Sequence, residues 1–342
     1  MNSKEIITRA LKLEKTPRLP VALLSGGVWT MNRRGLSLQD ILNRPELAAE
    51  IIIDTQETVQ SDIVWPSSGY HNLAIRALGG TIKFRAKGAP DIQAPLIDKV
   101  AEVEKLQLSN LSEEPGIQNL LSTARIVAKT LGSKVLIGAS QWGPFTLAGH
   151  IYGVEKLMRS IYKDQDGVLA ILDFTAELCY RYLEFFINAG VEIVSIADPS
   201  ASGDLISRTQ FQEFVLPHLQ KVVNKLHQKG VFVCIHICGN ITNRLDLIPE
   251  TDADLLSMDY KVDLGKAKEA LGGRMAFSGN LNPVAIMQNA TPKIVADTCL
   301  DCIMKTLAIP GYIVMPGCDI PPGVSLENIQ AMRDTVHRYH IQ

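Results

Sequence analysis

The residues with the clearest chemistry lie in Val231–Asn240, VFVCIHICGN, and in Met315–Asp319, MPGCD. The first stretch reads as a buried strand, because Val231, Phe232, Val233, Ile235 and Ile237 favour extended backbone and Gly230 and Gly239 punctuate its ends. Side chains alternate faces along a strand, so Cys234, His236 and Cys238 point the same way. Imidazole and thiolate form the donor set that Zn²⁺ prefers, but two ligands do not make a site. Cys318, which also follows an apolar run, is the natural third. A structural zinc site closes with four protein ligands, whereas a Cys₂His set of three leaves one position open for chemistry.

These three residues meet only if the fold brings position 318 beside 236, so the elements around them decide the matter. Residues 3–13 read as a helix ended by Pro17 and Pro20. Apolar runs at Val21–Leu24, Asp62–Trp65, Lys134–Ala139, Glu192–Ala197, the run from Val231, Leu255–Asp259, Met275–Ser278 and Tyr312–Met315 read as eight strands. Helical periodicity fills most of the intervals, at roughly 144–161, 164–189, 263–271 and 283–307, with a closing helix at 325–339. A small hairpin is expected within residues 79–90, outside the main repeat. Eight βα units close as a TIM (β/α)8 barrel, an α/β fold, here as one domain over residues 1–342 with an N-terminal helical extension at 1–18. The doubly wound sheet is the rival, and no G-x-G-x-x-G follows the first strand. In a barrel every C-terminal strand end opens on one face, which makes His236, Cys238 and Cys318 neighbours across its mouth. Cys234 lies deeper and reads as a filler of the barrel core.

Composition narrows the function classes. The chain has 342 residues, 34 basic against 36 acidic, and a net charge of −2, which gives no electrostatic footprint for nucleic acid. No apolar run approaches bilayer length, so no membrane association is expected, and the N-terminus has no secretory h-region. Six cysteines, most within apolar periodic segments, read as reduced thiols of a cytoplasmic protein.

With ligands and barrel in view, the chain resembles the uroporphyrinogen decarboxylase superfamily. The resemblance is carried by Ile137–Gly153, IGASQWGPFTLAGHIYG, by Asp198–Leu216, by Ser278–Pro283, SGNLNP, and by Gly317–Met332, GCDIPPGVSLENIQAM. The decarboxylases carry an arginine-rich motif after the first strand that holds substrate carboxylates; this chain has Leu24–Arg34, LSGGVWTMNRR, in its place. The corrinoid-dependent branch, with the methylcobamide:coenzyme M methyltransferases, carries H-x-C on strand five and G-C after strand eight as zinc ligands. His236, Cys238 and Cys318 match these residue by residue. The resemblance therefore implies a zinc methyltransferase that moves a methyl group from a methylcobamide, held on a corrinoid carrier protein, to a small-molecule thiol such as coenzyme M. Tetrahydrofolate or another acceptor, and tetrapyrrole decarboxylation, are the alternatives.

Four further residues fall on the same face as candidate substrate contacts. Asp198 and Asp259 end strands four and six, while Trp142 and Asn280 follow or end their own strands; the plainer readings are turn residues and a packing aromatic. Cys299 and Cys302 form a C-x-x-C inside a helical run and read as helix packing. His71, His150, His218 and His227 read as surface or packing histidines, and His337 and His340 as a solvated helix end.

Overall fold

The runs that read as strands are apolar on both faces, which is what a parallel sheet covered by helices requires. The computed structural model describes residues 1–339, so His340 lies outside the described residues. Nine strands are present among the described residues: β1 (Ile63–Val64), β2 (Ile82–Lys83), β3 (Asp91–Ile92), β4 (Leu136–Trp142), β5 (Ile193–Ala197), β6 (Phe232–Ile237), β7 (Leu255–Met258), β8 (Ala276–Leu281) and β9 (Tyr312–Pro316). Seven of them form one parallel sheet in the order β1-β4-β5-β6-β7-β8-β9.

The eighth position of the ring is held by Pro20–Leu23 without a regular strand. Val314 donates its N–H to the Pro20 carbonyl at 3.0 Å, Ala22 donates back to Val314 at 3.1 Å, and Asp62 donates to Val21 at 2.9 Å. The segment thus touches β9 on one side and the lead-in to β1 on the other, closing the TIM barrel. The expected first strand is reduced to an isolated bridge, Val21 to Val314. Pro20 has no N–H to give, which shortens the ladder from its start. Asp62 fastens the segment from the side: its fully buried carboxylate accepts both terminal nitrogens of Arg18 at 2.7 Å and the Val21 N–H at 2.9 Å.

Other boundaries moved modestly. The helical run 144–161 is two helices, Pro144–Tyr152 and Val154–Lys163, and 283–307 is a π-turn, Pro283–Gln288, followed by the helix Pro292–Thr306. The expected hairpin exists, but its second strand is β3, which lies beyond residue 90 and pairs antiparallel with β2.

Two apolar layers hold these elements. Inside the barrel, Ile63, Leu136, Ile193, Cys234, Leu255, Ala276 and Ile313 pack together, and Ile7 and Leu11 of the helix Ser3–Leu11 join them. That helix therefore plugs one end of the barrel, secured where the Lys4 N–H donates to Lys134 at 2.8 Å. Cys234 is a core filler, fully buried. Outside, the sheet packs on its helices, and Cys299 and Cys302 are buried in that layer. No described helix is long and apolar enough to cross a membrane.

Candidate metal centre

β6 delivers His236 from its buried interior, in register with Ala197 of β5 and Ser257 of β7. The strand must then stop, and Gly239 takes φ +81°, a conformation L side chains rarely adopt. Its N–H donates to an Asp259 carboxylate oxygen at 2.9 Å, while Lys261 donates its N–H to the other at 2.9 Å. Asp259 thereby ties the loop after β6 to the loop after β7 and fixes where Cys238 points. Cys318 arrives from β9 through Gly317, where a Cβ would meet the Tyr260 nitrogen at 2.6 Å. Only glycine lets the chain pass there.

The three side chains converge. Cys238 Sγ lies 3.0 Å from His236 Nε2 and 3.3 Å from Cys318 Sγ, and Cys318 Sγ lies 3.7 Å from His236 Nε2. A tetrahedral zinc with bonds of about 2.3 Å to sulfur and about 2.0 Å to nitrogen spaces such atoms roughly 3.5–3.8 Å apart, within about half an ångström of what these residues show. On the far side of the ring, His236 Nδ1 lies 3.2 Å from the Ser257 carbonyl and 3.1 Å from its hydroxyl. A carbonyl only accepts, so Nδ1 carries the proton and Nε2 turns a lone pair toward the thiols. The hydrogen bond between the two thiols pulls that of Cys318 well below its usual range and pushes that of Cys238 up. The donor set, its spacing and its tautomer all fit a zinc ion.

Cys238 and Cys318 are only partly covered, and the patch opens on a cavity of about 160 Å³ that also touches Leu24, Ser25, His71, Trp142, Pro199 and Asp319. Of the four candidate substrate contacts, Trp142 lines this cavity. Asp198 does not. Its carboxylate is fully buried, accepting the N–H groups of Phe145 and Thr146 and the Thr146 hydroxyl, at the start of the helix Pro144–Tyr152; burial pushes it up to about 6, against those donors. Asn280 uses its amide on the Asp259 and Val262 carbonyls at 3.1 and 2.6 Å, bracing the loop that Asp259 organises.

His71 is more than a packing residue. Its ring lies 4.5 Å from that of Trp142, its Nε2 is 2.7 Å from Ser140 Oγ, and burial lowers its pKa to about 4. Trp142 in turn donates its indole N–H to Asn72 at 2.7 Å. Behind it sits His150, also pushed down to about 4 by burial, with Nε2 unpaired. Asp319 next to Cys318 is raised to about 6 by burial. Among the remaining histidines, His218 Nδ1 lies 2.7 Å from the Phe214 carbonyl, His227 pairs with Asp254 at 2.9 Å, and His337 is half-buried with an enclosed, unpaired Nε2 rather than solvated. Asp319 carried a sequence signal in its adjacency to Cys318; His71, whose hydrogen-bond partner is 69 residues away, carried none.

Comparison with known proteins matches this geometry to a lineage. The chain is 30% identical over 253 residues to the methylcobamide:CoM methyltransferase MtbA of Methanosarcina acetivorans, covering 74% of this chain and 73% of that protein. It is 28% identical over 339 residues to the uroporphyrinogen decarboxylase of Geobacter sulfurreducens, covering 91% and 94%. A solved methyltransferase from Methanosarcina mazei superposes with a TM-score of 0.88 at 24% identity over 98% of both chains, which shows the shared fold. The uroporphyrinogen decarboxylase (URO-D) family model matches residues 2–339, and the chain belongs to that family.

Proposed function

We propose that the chain is a cytoplasmic zinc-dependent methyltransferase that moves a methyl group from a corrinoid, carried by a partner protein at the barrel mouth, to a small-molecule thiol. The observation that carries this reading is the convergence of His236 Nε2, Cys238 Sγ and Cys318 Sγ, all within 4.8 Å of one another, on an open cavity. The name of the MtbA relatives supports it, and the six unpaired cysteines suit the cytoplasm.

Bound there, Zn²⁺ would supply positive charge that favours the thiolate form of an incoming thiol at neutral pH. The protein supplies the rest. Ser257 holds the His236 proton on Nδ1 and keeps Nε2 free, and Asp259 fixes the Cys238 loop. Trp142 and His71 form a wall that keeps water from one side of the cavity, so the acceptor sulfur is presented toward the mouth, where an in-line donor must sit.

Decarboxylation of a tetrapyrrole is the rival, favoured by the longer match to the decarboxylases. The two arginines after the barrel's first segment do not serve it: Arg33 lies over the Trp29 ring at 4.8 Å and Arg34 pairs with Asp54 at 3.2 Å. Zinc-loaded protein should demethylate methylcobalamin when given a thiol, seen as the corrinoid spectrum changes. Release of CO₂ from uroporphyrinogen without any thiol-dependent demethylation would replace this proposal with the rival. Activity with tetrahydrofolate alone would move the acceptor assignment.

A further inference from the structure

The cavity wall constrains the end of the acceptor that does not react. Besides the thiol–imidazole patch it is lined by Leu24, Trp142, Ala197 and Pro199, with the hydroxyls of Ser140 and Ser195 among them. Among the described residues that line it there is no arginine or lysine, and its one carboxyl, on Asp319, has an oxygen that meets no donor. His71 brings no positive charge near neutral pH, since burial holds its pKa at about 4.

Nearby cations are committed elsewhere. Arg33 and Arg34 are engaged with Trp29 and Asp54, and Lys261 with Asp204 at 2.9 Å. Arg85 and Lys87, close in sequence to the cavity-lining Ala89, line a separate cleft against residues 35–40. An anionic group held away from the metal would lose its hydration without gaining a cationic side chain, and would face a carboxyl as well.

We infer that the cavity accepts a small thiol whose remote end carries no negative charge, a selection that rests on the methyl-transfer reading of the site. Aromatic and aliphatic walls with hydroxyls suit a short chain ending in a hydroxyl or a similar uncharged group. A sulfonate- or carboxylate-bearing thiol is rejected because the cavity wall offers it hydroxyls but no cationic side chain.

The test uses three thiols of equal chain length, 2-mercaptoethanol, cysteamine and 2-mercaptoethanesulfonate, with methylcobalamin as donor and zinc-loaded protein. Expressed per thiolate, kcat/KM for 2-mercaptoethanol should exceed that for the sulfonate at least about tenfold, the factor that about 1.4 kcal/mol of uncompensated desolvation produces. Equal use of the sulfonate, or a preference for it, overturns the inference. Ala89 is exposed at the rim, so Ala89→Arg should fold normally by thermal melt and raise use of the sulfonate relative to 2-mercaptoethanol; an unchanged ratio counts against the inference. If no thiol is methylated, the methyl-transfer reading falls. Calorimetric titration of the same thiols into the protein then decides the present inference alone: weaker binding of the sulfonate supports it, and equal or tighter binding, or no binding by any of the three, overturns it.

Discussion

Replacing Asp62 with alanine should loosen the barrel at the point where it closes. The buried carboxylate holds both terminal nitrogens of Arg18 at 2.7 Å and the Val21 N–H at 2.9 Å, and Arg18 is itself only 17% exposed. Removing one partner of a buried ion pair costs about 3–5 kcal/mol, because the remaining charge stays buried and uncompensated. With an unfolding entropy of about 2.1 cal/mol/K per residue, the 342 residues give roughly 0.7 kcal/mol/K, so Tm should fall by about 4–7 °C. Thermal melts of Asp62→Ala, Arg18→Ala and the double variant measure this, and the double variant should melt well above the sum of the single losses. The loss reaches the site because the closing segment continues into Leu24 and Ser25 on the cavity wall. KM for the thiol should therefore rise. A single variant that melts within about 1 °C of the wild type would refute the view that this clamp closes the ring.

Three further outcomes follow from the same geometry. Ser257→Ala removes the hydroxyl beside His236 Nδ1 and leaves only the carbonyl, so zinc affinity should drop about tenfold in chelator competition while the fold is kept. Trp142→Phe deletes the 2.7 Å bond to Asn72, costing about 1 kcal/mol in a melt and raising KM for the thiol. His150 is held down to about 4, so the unfolded chain takes its proton first as pH falls. Its contribution is complete above about pH 6.5 and is lost as pH drops toward 4; His150→Phe should therefore spare up to about 2 kcal/mol of the loss between about pH 7 and 5 in melts across pH.

How much of this was legible beforehand depended on range. Seven of the eight runs read as strands pair in one parallel sheet, because a strand buried on both faces is apolar throughout and announces itself locally. The run at Val21–Leu24 has the same composition, yet Pro20 and the clamp from Asp62 make it a bridge rather than a ladder, and that depends on a contact 41 residues away. β4 extends to Trp142, past the expected end at Ala139, because the polar pair Ser140–Gln141 interrupts the apolar run although both residues are buried. That His236, Cys238 and Cys318 would meet was readable because the barrel rule places strand ends on one face. The roles of Asp198, Asp259 and Asn280 as braces of loops and helix starts were not, because which backbone groups need a partner is settled only by the folded turns.

The central claim concerns the metal, and X-ray absorption on protein as purified addresses it most directly. One zinc per chain is expected, with two sulfur ligands and one nitrogen from Cys238, Cys318 and His236, and a third sulfur added when thiol is supplied. A fully folded native protein without tightly held metal, or a zinc whose sulfur count ignores every thiol, would contradict the account.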